Sequence, residues 1–453
     1  MKKFINKYKY RLALTGLSLV VMIIVYILGS LSLSNKSNGV IYQYNGETYD
    51  VIGYEGDSEV VKIRTKYKGE YVTRISNNAF ENEKTIKKIV LPDNLKVIEK
   101  EAFYNCENLS EMDLPNTLEE IQSRAFSNTK LYDLVFPEKV KVLNPGVLVN
   151  STVDKVIVIP ESIEVIGDSV FIFNELIEEV ILPKSLKRIE NFAFSYCKNL
   201  KKINLPENLE YIGKNAFDAT AIEKIEIPAN IEVIEESTFR GCSELKEVVL
   251  NEGLKIIKDN SFSGCRSLKS INLPSSLEVI KSYAFSNAGF EKLIIPNTVL
   301  KVEKYVLQYC NNLKELHVPY LGSDKDDISG INHFFSGDYQ AYNDSKSLEI
   351  VWVTGENAVI REGAFEYNKT VRKVHFETAV KLSTGIFTSC ELIEKVYLGN
   401  NLKEVSEYAL SKGRNVEKLD VYCPFSQEYA ESRFQENWYT SKVNVVYEYN
   451  NSK

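Results

Sequence analysis

Histidine is scarce: the 453 residues hold only His317, His333 and His375, which leaves little material for acid–base or metal chemistry near neutral pH. A Gly-rich phosphate loop, an HExxH helix, a G-x-S-x-G elbow and a CxxC pair are all missing. The expectation is therefore a protein that is not an enzyme, with no cofactor, no metal and no small-molecule substrate. A basic excess is also lacking. Net charge is -7, and the first 11 residues carry five basic and no acidic side chains, so subtracting them leaves -12 for residues 12–453. Nucleic acid, whose phosphates need a basic surface, is excluded as a partner on that ground. Apolar and charged residues are both plentiful, at 44% and 26%, which excludes wholesale disorder. The length is about three typical domains, so one compact core is excluded unless the sequence repeats.

Only one long apolar run is present. Residues 1–11 read MKKFINKYKYR, and Leu12 to Leu33 follow as 22 uncharged residues, enough to cross a bilayer as a helix. The basic flank predicts a cytoplasmic tail (1–11), a transmembrane signal-anchor (12–33), a Ser/Asn/Lys linker (34–39) and an extracellular remainder. The alternative is a cleaved secretory signal. Against it, the run is longer than an ordinary signal core and only GSLSLSN follows, with no A-x-A-like site.

The remainder repeats itself. LPDNLKVIEKEAFYNCENLSEMDLP (91–115), LPNTLEEIQSRAFSNTKLYDLVFP (114–137) and LPKSLKRIENFAFSYCKNLKKINLP (182–206) are one motif. Its large apolar anchor recurs at Phe80, Phe103, Phe126, Leu148, Phe171, Phe194, Phe217, Phe239, Phe262, Phe285 and Leu307, in steps of 22 or 23. After a gap of 58 it resumes at Phe365, Phe387 and Leu410, so the gap holds one coil lengthened by 12 residues, at 320–347. About fifteen coils result.

Each coil has a physical reading. Leu200, Ile203 and Leu205 before Pro206 show the period-2 pattern of a short strand buried on one face. Ten of the twelve prolines, at 92, 115, 137, 160, 183, 206, 228, 274, 296 and 319, take that strand-exit position, where no ladder hydrogen bond is lost. The L-x-x-I-x-x-x-A-F piece, such as Leu209, Ile212, Ala216 and Phe217, has roughly helical spacing and predicts a turn or short helix. A single coil cannot cover its own apolar face, so neighbours must stack with strands in a parallel ladder about 4.8 Å apart. The fold class expected is α/β, a leucine-rich-repeat solenoid preceded by one transmembrane helix.

This pattern resembles the BspA-like leucine-rich-repeat family of bacterial surface proteins, whose repeats carry an LPxxLxxIxxxAFxxCxxLxxI signature. The resemblance implies a repeat body over 75–421, an N-terminal cap over 40–74 and a C-terminal cap over 422–453. It also implies adhesion to host or matrix proteins or to other cells. No LPxTG-type sorting signal or choline-binding repeat accompanies it.

Cys106, Cys197, Cys242, Cys265, Cys310 and Cys390 each fall three residues after an anchor, where other coils place Thr129, Ser151, Asn174, Thr220, Ala288 or Asn368. A position shared with Ala, Thr and Asn asks for a small buried group. Cys242 and Cys265 alone lie in adjacent coils near enough to bridge, although their side chains should point the same way. Cys423, beyond the last repeat, is expected to be the exposed thiol.

Candidate contact residues come from the strands' outward position. That column holds Val135, Val158 and Ile181 early, and His317, Trp352, His375 and Tyr397 in consecutive coils later. The lengthened coil adds His333, Phe334, Phe335, Tyr339 and Tyr342 beside it. Aromatics on a rigid ladder suit contact with an extracellular protein or glycan, because they bury large area at low entropic cost. Two alternatives stay open: Phe334 and Phe335 plug the coil's own core, or the whole body is a spacer of the cell envelope. His317 and His375 stand two strands apart, about 9–10 Å, too far to share a zinc ion. Glu178, Glu179 and Glu247 alternate with Lys on solvent-facing columns and are expected in cross-strand pairs.

Overall fold

The computed structural model describes residues 36–327, 329–335, 346–411, 416 and 418–449. The tail at 1–11 and the apolar run at 12–33 lie outside the described residues. Among those described, no helix is long and apolar enough to cross a membrane. The chain forms two compact units, Met1–Lys139 and Val140–Lys453.

The first unit opens with the antiparallel strands Lys36–Ser37, Val40–Tyr44 and Tyr49–Tyr54. Tyr49–Tyr54 then pairs parallel with Glu70–Ile75, which starts a parallel ladder through Val97–Ile98 and Glu120–Ile121. Val60–Lys62, Lys88–Val90 and Glu111–Met112 build a second parallel ladder. Tyr42 stacks on Tyr67 at 4.3 Å, and Tyr54 packs against Phe80 at 5.7 Å, closing the first winding.

The second unit repeats the same two ladders. Strands ending at proline pair parallel, as in Val156–Val158 with Glu179–Ile181, and culminate in a seven-stranded sheet from Lys292–Ile294 to Val443–Val446. A parallel ladder of two-residue strands runs beside it, as in Val142–Leu143, Val165–Ile166, Arg188–Ile189 and Tyr211–Ile212. Each unit is thus a β-solenoid of such windings, about 17 turns counted over the two.

The α/β expectation is thereby corrected. The L-x-x-I-x-x-x-A-F piece forms a second short strand and a turn, and among the described residues the only α-helix is Gln427–Arg433 in the C-terminal cap. Most of these turns place two residues four apart in the left-handed region, such as Asn78 (φ 59°) with Asn82 (φ 65°) and Glu101 (φ 57°) with Asn105 (φ 61°). Such residues break an α-helix and let the chain reverse within a 23-residue winding. The apolar spacing reflects which side chains meet the axis, and a winding and a helix share it.

Proline behaves as its position predicts. Its carbonyl accepts from the Leu amide three residues on, 3.0 Å for Leu95 to Pro92 and for Leu209 to Pro206, turning the chain out of the strand. The anchors stack face to face inside each unit. Phe80 and Phe103 lie 5.1 Å apart, and Phe171, Phe194, Phe217, Phe239, Phe262 and Phe285 follow one another at 5.2–5.8 Å.

All seven cysteines are free and buried. In the six repeat cysteines Sγ donates to the carbonyl of the preceding winding's anchor, at 2.8–3.3 Å, as Cys197 does to Phe171 and Cys390 to Phe365. Asn174 makes the same link to Leu148 through Nδ2. Cys and Asn thus tie a winding to its predecessor, which Ala cannot do. Burial pushes the thiols of Cys106, Cys197, Cys242, Cys310 and Cys390 up to about 12, so they stay protonated donors. Cys423 is also buried, against expectation: its amide donates to Val446 at 2.8 Å, which places it under the last strand.

Candidate functional site

Parallel strands paired in register bring equivalent residues to one column. In the seven-stranded sheet Leu316, Val351, Val374 and Val396 point inward and are buried. The alternate position runs Ile294, His317, Trp352, His375, Tyr397 and Tyr422, each paired with the next. Strand spacing near 4.8 Å is a stacking distance for flat rings. Trp352 stacks on His317 at 5.2 Å and on His375 at 3.4 Å, and Tyr397 stacks on His375 at 4.2 Å and on Tyr422 at 4.6 Å. Interplanar angles are 5–10° throughout.

The outward residues are therefore not separate solvent-facing knobs. Neighbouring rings cover each other's faces and present their edges. Trp352 and Tyr397 are half-buried, and His375 is 9% exposed. Trp352 Nε1 and His375 Nδ1 are buried without a hydrogen-bond partner. Burial, reinforced by the like charge of His317 and Lys373, pushes the His375 imidazole down to about 4, so it is neutral at physiological pH. His317 Nε2 lies 2.7 Å from Glu315, which also meets Lys292 at 2.9 Å. Against the opposing effect of partial burial, those two partners hold the Glu315 carboxyl below its usual range. With the Trp352 indole between them, His317 and His375 share no ion. Among the described residues no group of three or more His, Cys, Asp and Glu is placed to hold a metal.

The lengthened coil resolves toward its own core. Phe334 and Phe335 are buried, and the Leu307 amide donates to the Phe334 carbonyl at 2.8 Å as other anchors donate to the Ala before the next anchor, so Phe334 and Phe335 stand in place of the A-F pair in this winding. His333 is buried too, with Nε2 at 3.0 Å from the Val302 carbonyl. Tyr339 and Tyr342 lie outside the described residues. The early column is apolar and open: Val158 is 61% and Ile181 47% exposed in the second unit, and Val135 is exposed in the first. Lys and Glu pair across neighbouring windings as expected, at 2.7 Å for Lys224 with Glu247 and for Lys155 with Glu178.

Three aromatic features escaped the sequence reading. Tyr422, which the sequence places at the start of the C-terminal cap, extends the ring column by one strand, and the alternation carries it. Tyr449 tilts at 53° against Tyr397, with centroids 5.8 Å apart, and no local pattern announces it. Phe173, Phe192, Tyr309, Tyr367 and Tyr408 stand exposed at left-handed turn positions where other coils use Asn or Gly.

The sequence matches the family described as BspA type leucine rich repeat region (6 copies) over residues 73–178, 172–287, 244–324 and 337–448. Among curated proteins none matches the chain. Among solved structures it is similar to a leucine-rich repeat protein from Bacteroides ovatus, at 20% identity over 91% of this chain and 99% of that one, with a TM-score of 0.49. It is similar also to the pneumococcal vaccine antigen PcpA, at 18% identity over 92% of this chain and 98% of that one, TM-score 0.43. A leucine rich cell surface protein from Faecalibacterium prausnitzii shares 19% identity over 68% of this chain and 96% of its own, TM-score 0.38. With the family's repeats matched over most of its length, the chain belongs to the BspA-type leucine-rich-repeat proteins.

Proposed function

We propose that the protein binds an extracellular protein or glycan through the strand face of its second unit, performing no chemistry of its own, while residues 12–33 hold it in the cell membrane. The observation that carries this reading is the in-register ring column from His317 to Tyr422. Rings locked by stacking have little freedom left to lose when a partner covers their edges. The paired charges themselves favour a second reading, in which the body is a solvated spacer of the envelope with no specific ligand.

Capture separates the two. Full-length protein, immobilised and exposed to arrays of extracellular-matrix proteins and surface glycans, is expected to retain a specific ligand. Trp352→Ala combined with Tyr397→Ala should lower that retention at least tenfold. Phe173→Ala with Tyr309→Ala, which removes exposed aromatics from the turn edge, should leave it unchanged. Equal retention by both double variants contradicts the assignment, and absence of any ligand favours the spacer.

A further inference from the structure

Beside the later strands of the ring column, the second unit holds a cavity of about 420 Å³, within the size range of ligand pockets, whose lining includes His375, Glu377, Tyr397, Asn400, Glu448 and Tyr449. Tyr397 contributes a ring edge from within the stack, between His375 and Tyr422, and Tyr449 leans against it at 53° to make an aromatic corner. Two elements fix the carboxylates beside that corner. Glu377 directly follows the strand Lys373–Phe376, where ten other coils carry proline. Glu448 sits in the turn after Val443–Val446 with φ 56°, pinned by its amide to Phe425 and by that of Tyr449 to Cys423, both at 3.0 Å.

Two carboxylates meet in this cavity without a basic partner. Several acids nearby are paired: Glu394 with Arg372, Glu404 with Lys381 at 2.6 Å, Glu391 with Lys369 at 3.3 Å and Asp420 with Lys418 at 3.0 Å. Among the described residues Glu377 and Glu448 enter no ion pair, and no Lys or Arg lines the cavity. The His375 side chain in its wall is nine-tenths buried, with Nδ1 unpartnered. Uncompensated carboxylates attract a cation through direct charge, and the Tyr449 ring, tilted out of the stack, adds its quadrupole. A sugar would pack on that ring too, but it offers nothing to neutralise two acids held in one recess. The charge of -12 on residues 12–453 draws basic partners as well.

We propose that this cavity is a receptor for a basic side chain, guanidinium or ammonium, presented by a protein partner that also lies along the ring column. This rests on the binding reading above and selects protein over glycan.

The test uses full-length protein and the peptide Ac-Gly-Arg-Gly-NH2, with its citrulline analogue as the uncharged control, read by saturation-transfer NMR. Transfer to the arginine side chain is expected, with none to citrulline. Glu377→Gln with Glu448→Gln, which alters neither size nor packing, should weaken arginine binding at least tenfold, as should raising salt to 1 M. Tyr449→Leu should weaken it comparably. Equal transfer to both peptides, an unaffected Gln variant, or a neutral oligosaccharide that binds in the recess independently of the acids overturns the inference. Capture through Trp352 in the earlier assay, measured with Trp352→Ala alone, would then still stand or fall separately.

Discussion

Phe194→Ala is expected to lower the stability of the second unit by about 3–5 kcal/mol, the range for emptying a buried phenylalanine site. The ring is fully buried between Phe171 at 5.2 Å and Phe217 at 5.7 Å, so its removal uncovers a face on each. The windings cannot close the gap. The Phe194 amide donates to Ala216 at 2.8 Å and Cys197 Sγ to Phe171 at 3.1 Å, which fixes their separation. Because each winding touches only its neighbours, the damage should stay local, and amide exchange should accelerate first around residues 171–217. Phe192→Ala, two residues away at an exposed turn position, should cost under about 1 kcal/mol. Guanidinium unfolding followed by hydrogen exchange measures both. A Phe194→Ala protein within about 1 kcal/mol of the parent would show that the anchor stack is not what holds the windings together.

Arg240→Ala should cost about 2–3 kcal/mol, well beyond what an exposed ion pair contributes. Asp218 has a side chain only 4% exposed, and Arg240 forks onto it through Nε at 3.2 Å and Nη2 at 2.9 Å. Without the guanidinium the carboxylate stays buried with only Asn215 Nδ2 at 3.3 Å. Since Arg240 itself is 47% exposed, the loss should fall below that of a fully buried pair. Removing both partners, Asp218→Ala with Arg240→Ala, should recover most of the deficit, because no uncompensated charge remains. A double variant as unstable as Arg240→Ala alone would mean that the arginine acts through packing of its stem. Lys155→Ala, which breaks the exposed pair with Glu178, gives the baseline near zero.

What was legible in the sequence follows from how each signal is encoded. Anchors at steps of 22 or 23 expose the winding directly, because a stacked array must return an equivalent residue to the axis once per turn. The second ladder was hidden: Leu209, Ile212 and Ala216 are spaced as on a helix, and only the left-handed turn residues, such as Asn215 with Ala219, distinguish a turn. Alternation located His317, Trp352, His375 and Tyr397 on one face. It did not reveal that in-register parallel strands put their rings face to face, which half-buries them and leaves His375 neutral. The Phe334–Phe335 pair is ambiguous in the sequence because it stands 27 and 28 residues after Leu307, off the repeat's period, and only the hydrogen bond from Leu307 to Phe334 shows the pair replacing Ala and the anchor. Cys423 was misjudged because the strand that covers it, Val443–Val446, lies beyond the repeats. The cavity depends on Tyr449 and Glu448 folding back from the C-terminal turn, a long-range event without a local pattern.

Hydrogen exchange on the full-length protein, free and with its captured macromolecule, tests the central claim most directly. Protection is expected at the edges of strands 350–353, 373–376, 395–398 and 419–422, fading toward 202–203. Protection confined to the turn edge around 169–173 and 305–309, with the ring strands unchanged, would contradict it.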